Sequence, residues 1–384
     1  MGQRLVMGLG AAGLGAAMLA MVAGAAQAEV RIGMITTLSG GGAGLGVDMR
    51  DGFQLALDQA GRDDVRLVIE DDAQRPELAV QVAERMIQSE RVQILTGLIF
   101  SNLAMAVVPS TVAQDIFYIS PNAGPSALAG AGCHQNYFNA AWQNDTLHEA
   151  AGNHANELGY ENTFLLAPNY PAGTDALTGY RRYFEGEYAG EILTTVGQTD
   201  YASEIAEIRD SDADSLFIFL PGGMGISFMR QWADSGVDIP IISAGFTFDQ
   251  DNLPAMGSAA LGVINTGQWS PDLDNDVNRA FMEAFEERFD RIPSIYASQG
   301  YDTAKLILSA IEAADISDRD AFREALRAAD FEATRGDFAF ADNHHPIQTI
   351  YVREVVEVDG VITNRIIATA FEDHRDVHGD DCNM

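Results

Sequence analysis

Short apolar runs alternate with helix-length amphipathic stretches along most of this chain, and that alternation leaves few folds open. Residues 30–35, 66–69, 92–95 and 116–119 read as buried strands. Residues 48–59, 76–89 and a stretch from 103 onward carry apolar positions at helical spacing, and Pro76 stands at a first-turn position. Strict βαβα order with buried strands implies a parallel sheet covered by helices on both faces. Residues 138–145 then leave this four-stranded sheet, and a second series begins. Helices are expected at 145–158, 174–187, 202–209 and 223–235, and strands at 163–167, 191–196, 216–220, 239–243 and 261–266. Two α/β units of similar size therefore lie in tandem. Helical patterns at 275–289, 297–313 and 318–329 follow. Two strand-like runs, 347–358 and 361–370, flank Asp359-Gly360, a strong hairpin signal.

Residues 1–28 are read as a leader outside the fold. Arg4 precedes an apolar, small-residue stretch, and Ala26-Gln27-Ala28 has the A-x-A form of a cleavage site. No later run reaches the roughly 18 apolar residues of a membrane span. The expectation is an exported protein cleaved after Ala28. The formal net charge of −33, with Lys305 the single lysine, argues against nucleic acid and anionic membrane surfaces as partners. An anionic ligand would need a locally positive site. Cys133 and Cys382 are the two cysteines. In an oxidising compartment they allow one pairing, which would tie the C-terminus to the loop after residue 128.

The stretch 100–128, FSNLAMAVVPSTVAQDIFYISPNAGPSAL, concentrates the site signal. Phe100-Ser101-Asn102 and Ser120-Pro121-Asn122-Ala123-Gly124 each follow a strand. In an open α/β sheet, ligands sit beyond the carboxyl ends of strands, where helix starts offer unpaired N–H groups to an anion. This is half of a site for a small acid. Other motifs carry less. The loop TTLSGGGAGLG (36–46) lacks the G-x-G-x-x-G register and a following Lys-Ser/Thr, so it is a binding or hinge loop rather than a nucleotide site. Asp272, Asp274, Asp276 and Glu283 match parts of a calcium loop, but Val277 stands where glycine is essential, and acids at a helix start explain them. His344-His345 reads as a surface loop. No G-x-S-x-G occurs. Neither a catalytic set, a metal site nor a cofactor is expected.

The segments LSGGGAGLG, DDAQRPELAVQVAERMI, ISPNAGPSAL and APNYPAG, in this order and spacing, resemble the type I periplasmic binding proteins of ABC importers, in their branched-chain amino acid-binding group. The resemblance covers essentially the whole chain after the leader. It implies two Rossmann-like lobes joined by three crossovers and closing on ligand by a hinge. The lobes would comprise 29–141 with 270–342, and 142–269 with 343–384. By resemblance, Ser101 offers its hydroxyl to the ligand carboxylate, with Phe100 before it. The loop after the fourth strand lacks the usual Thr, leaving Asn122 and Gly124 to contribute through backbone groups, and Leu38 belongs to the first binding loop. Ala244-Gly245-Phe246-Thr247 stands where an acid commonly pairs with a ligand ammonium, and Asp249 is displaced from that place. A buried ammonium without a carboxylate is costly. Phe100, Tyr170, Phe246 and Trp142 suit an aromatic body instead. The chain resembles the aromatic-acid subgroup, whose ligands are benzoate or phenylpropenoate types. The expectation is a monomeric receptor that captures a small carboxylate and docks on an inner-membrane permease. A branched-chain or other small amino acid is the alternative ligand.

Overall fold

The computed structural model describes residues 1–2 and 29–384; the rest of the leader, with its cleavage motif, lies outside the described residues. The first lobe is built from β1 (Val30–Thr36), α1 (Ala43–Ala60), β2 (Val65–Asp71), α2 (Pro76–Arg85), β3 (Ile94–Thr96), α3 (Ser101–Val112), β4 (Phe117–Ser120), α4 (Ser126–Ala129) and β5 (Tyr137–Asn139). The strand order is β2-β1-β3-β4-β5, parallel throughout. Strand β5 corrects the expected four-stranded sheet. Its three residues are too few for a periodic signal, yet they pair with β4 and are fully buried.

The second lobe runs through α5 (Asn144–Glu157), β6 (Asn162–Pro168), α6 (Pro171–Tyr183), β7 (Glu187–Thr194), α7 (Ala202–Asp210), β8 (Ser215–Ile218), α8 (Gly223–Ser235), β9 (Ile241–Ala244), α9 (Leu253–Met256) and β10 (Ile264–Gly267). The chain next contributes α10 (Asp276–Phe289), α11 (Ile295–Ala313) and α12 (Arg319–Ala328), and β11 (Ala339–Phe340) precedes the hairpin of β12 (Pro346–Val358) and β13 (Val361–His374). Strand β12 returns to the second sheet, antiparallel to β10. Asp359 and Gly360 both have positive φ, 52° and 82°, as a two-residue hairpin turn of the Asp-Gly type requires.

Helix α11 belongs with the first lobe because it crosses α1 at backbone distance. A Cβ on Gly52 would lie 2.0 Å from the Ala297 carbonyl oxygen, and one on Gly300 would lie 2.1 Å from that of Met49. The α5/α6 pair in the second lobe meets the same way at Gly152 and Gly179.

Two buried arginines pin the points where the chain changes lobe. Arg335 pairs with Asp302 at 3.0 Å and donates to the carbonyl of Ala141, in the first crossing. Arg353 pairs with Asp249 at 3.0 Å and donates to the carbonyl of Trp269, in the second. Cys133 and Cys382 are disulfide-bonded, so the tail after β13 ends against the first lobe. His378 fastens the same tail to Asp145 at 2.9 Å. The acids of the calcium-like run serve the protein itself: Asp274 and Asp276 pair with Arg279, and Asp272 accepts from Ser270 and Ile366.

The expected surface position of His344-His345 is corrected. His344 does occupy a tight turn, with φ 58°, but both imidazoles are buried. His344 stacks on Phe138 with 4.0 Å between centroids, and His345 tilts against Tyr137. Short polar-looking sequence thus sits under the tail, which the disulfide holds in place.

Candidate functional site

A small cavity lies between the lobes, at the carboxyl ends of β3 and β4 on one side and of β6, β8 and β9 on the other. The first lobe supplies Ile99, Phe100, Ser101, Asn122 and Tyr296. The second supplies Asn144 and His148 from α5, Tyr170 and Ala172 from the start of α6, Phe219 and Pro221 after β8, and Phe246 after β9. Trp142 lines it from the first crossing.

The polar end is built from two helix starts and one hydroxyl. Phe100 is extended, at φ −95° and ψ 135°, and α3 begins at Ser101 without a side-chain cap. The N–H groups of Leu103 and Ala104 donate to the Phe100 carbonyl, leaving those of Ser101 and Asn102 for another acceptor. Pro171 likewise opens α6, and the first N–H to bond there, Thr174, donates to Tyr170, which leaves the N–H of Ala172 at the cavity wall. Ser101 accepts a hydrogen bond from Asn144 Nδ2 at 3.1 Å. That bond uses a lone pair and leaves the hydroxyl proton free to donate into the cavity. Asn144 is itself fixed, donating to Asp175 at 2.8 Å and accepting from the Gly124 N–H at 3.2 Å. Burial and nearby Asp145 raise the Asp175 carboxyl. Among the described residues, no lysine or arginine lines the cavity. The positive dipole ends of α3 and α6 stand at its wall instead.

The remaining wall is aromatic. Trp142 and Phe246 meet edge to face at 4.5 Å, Phe219 and Phe246 at 5.4 Å, and Tyr170 stacks on Phe219 at 6.2 Å. Phe100 tilts against Tyr170 across the lobes at 6.3 Å. Gly42 makes room for Phe100, since a Cβ there would lie 2.7 Å from its ring. Burial pushes the Tyr170 and Tyr296 hydroxyls far above the usual phenol range, so both are protonated.

The lobes are in contact around this cavity. Gly223 N–H donates to the Gly41 carbonyl at 3.1 Å, so the glycine-rich loop abuts the start of α8. Ser126 N–H donates to Asp175, and Ser126 Oγ to Asp145.

Six of the residues singled out in the sequence, Phe100, Ser101, Asn122, Trp142, Tyr170 and Phe246, are brought together here. Asn122 turns its Nδ2 to the Ile99 carbonyl at 2.6 Å. Gly124 and Leu38 lie outside the lining: the Gly124 N–H is taken by Asn144, and the Leu38 N–H by Asp71 at 2.8 Å. Asp249 is wholly buried against Arg353 and accepts from the N–H of Ile295 and Gln250, so it is committed away from the cavity. Sequence reading missed Asn144, His148, Phe219 and Tyr296. Phe219 follows a strand end and was within reach of the switch-point rule; His148, inside a helix, carried no signal.

Residues 29–360 match a family model described as periplasmic binding protein. A curated relative, Leu/Ile/Val-binding protein homolog 6 of Brucella melitensis biotype 1, is 28% identical over 92% of this chain and 95% of its own length. Among solved structures, an ABC transporter solute-binding protein of R. palustris in complex with benzoate is 28% identical, with TM-score 0.88, covering 92% of this chain and 99% of that one. The ABC transporter substrate-binding protein of Sphaerobacter thermophilus is 32% identical, with TM-score 0.83, covering 90% and 98%.

Proposed function

The chain belongs to the periplasmic binding protein family, the solute-binding components of ABC transporters, and we propose that its ligand is an aromatic carboxylate of the benzoate type. The observation that carries this reading is the composition of the interlobe cavity. Rings of both lobes form its walls, its polar end offers only neutral donors, and the nearby Asp249 is consumed by Arg353. The carboxylate is held by Ser101 Oγ and the open N–H groups of α3 and α6. The ring lies among Phe100, Trp142, Tyr170, Phe219 and Phe246. An α-amino acid would bury its ammonium among rings with no carboxylate facing it, at a cost of several kcal/mol. The benzoate complex of the R. palustris relative supports the same class.

The protein acts in the periplasm after removal of the leader beyond Ala28, as a monomer, and hands its ligand to an inner-membrane permease without transforming it. The lobes divide as 29–141 with 270–342 and 142–269 with 343–384. The test is a thermal-shift screen of the mature chain. A ligand at 100 times its Kd adds about 2.7 kcal/mol to the folded state. Shifts confined to aromatic acids support the reading; shifts confined to leucine, isoleucine and valine overturn it.

A further inference from the structure

We propose that His148 makes the cavity selective for aromatic acids bearing a hydrogen-bonding substituent para to the carboxylate, over the unsubstituted acid; this rests on the ligand class proposed above. Asn144 and His148 are four residues apart on α5, on one face of the helix, and both line the cavity. Asn144 marks the carboxylate end through its bond to Ser101. His148 lies one turn, about 6 Å, further along the helix. A benzoate ring carries its para position on the side opposite its carboxylate, so a substituent there extends toward the imidazole.

The surroundings of His148 leave that group little else to meet. Phe217 and Phe219 stand edge to face with the imidazole at 5.6 and 5.1 Å, and Phe246 tilts against it at 5.6 Å. The side chain is 1% exposed, and its Nδ1 has no hydrogen-bond partner. Burial holds its pKa down to about 3, so the ring is neutral at physiological pH. A neutral imidazole offers one N–H and one lone pair and can pair with a phenolic hydroxyl in either sense. An unsubstituted ring leaves a buried polar group unsatisfied, whereas a para hydroxyl satisfies it.

The test is a tryptophan-fluorescence titration of the mature chain, and of its His148→Phe and His148→Leu variants, with benzoate, 3-hydroxybenzoate, 4-hydroxybenzoate and leucine. In the wild type, 4-hydroxybenzoate should bind about two- to tenfold more tightly than benzoate, the range of one net hydrogen bond, and more tightly than the 3-isomer. In both variants this preference should vanish. Equal affinity for benzoate and 4-hydroxybenzoate in the wild type overturns the inference and leaves the ligand class intact. So does a preference that survives both substitutions. If a variant does not fold, the wild-type comparison of the 3- and 4-isomers decides. Binding of leucine alone removes both the inference and the class on which it rests.

Discussion

Replacing Arg353 by methionine should destabilise the protein by about 3–5 kcal/mol, the combined cost of leaving a buried charge and the acceptors beside it without their partner. Both members of the Arg353–Asp249 pair are 0% exposed. The guanidinium runs between two glycines: a Cβ on Gly245 would lie 2.2 Å from one of its nitrogens, and one on Gly267 would lie 3.1 Å from its carbon. It donates to Asp249 Oδ2 at 3.0 Å, to Asn265 Oδ1 at 2.7 and 2.9 Å, and to the Trp269 carbonyl at 2.7 Å. Methionine fills similar space and donates nothing. Asp249 keeps the N–H groups of Ile295 and Gln250 but loses its cation, and the Asn265 and Trp269 acceptors are stranded at about 1 kcal/mol each, together about half of that total. Adding Asp249→Asn removes the orphaned charge and should return about half the loss, while the stranded acceptors keep the rest. Urea unfolding of the four proteins of the cycle, with the disulfide intact, gives the coupling energy directly. A loss below about 1 kcal/mol for Arg353→Met, or no recovery in the double variant, would refute the reasoning. The same pair explains why Ala244-Gly245-Phe246 carries no acid toward the cavity. Gly245 admits the guanidinium, and the guanidinium claims the acid that follows.

Ser101→Ala removes a hydroxyl free to donate into the cavity and should weaken carboxylate binding by about 1–3 kcal/mol, while the lost Asn144 hydrogen bond costs the free protein about 0.5–1.5 kcal/mol; a calorimetric titration showing unchanged affinity takes Ser101 out of the site. Gly223→Val places a branched side chain against Gly41, where even a Cβ would lie 3.2 Å from the carbonyl oxygen. It should weaken ligand binding about fivefold or more through the lost interlobe hydrogen bond and leave each lobe folded, as circular dichroism and binding together would show. His148 is a group whose folded pKa, about 3, lies below its unfolded value of 6.5, so the unfolded chain binds the extra proton as pH falls. Its contribution to stability is complete above pH 6.5 and shrinks by about 2 kcal/mol at pH 5. The difference in unfolding free energy between wild type and His148→Phe should change by that amount over this window, and a flat difference would count against a buried neutral imidazole.

Much of the fold was legible because parallel strands buried on both faces read as continuous apolar runs, and four of the first five did. Strand β5 escaped because Tyr137–Asn139 is three residues long and pairs with β4 residues that lie 19 positions earlier, as in Tyr118 with Tyr137. The Asp359-Gly360 turn was legible because its two positive φ angles demand that chemistry. The histidines at 344 and 345 were misplaced because they are buried against Tyr137 and Phe138 of β5, a contact 207 residues apart in sequence. In the site, Ser101 and its neighbours were visible as small polar residues after strands. Asn144 and His148 were not, since a helix interior gives no sign of which turn faces a second lobe. The role of Asp249 was also hidden, because its partner Arg353 comes from the returning hairpin.

The most direct test of the account is isothermal titration of the mature chain, first freed of co-purified ligand by unfolding and refolding, with benzoate-type acids and with leucine. The account predicts saturable one-to-one binding of the aromatic acids, with a negative heat-capacity change from burial of the apolar ring, and no heat from leucine. Saturable binding of leucine with none of benzoate would contradict it, and would mean that a carboxylate other than Asp249 reaches the ammonium position.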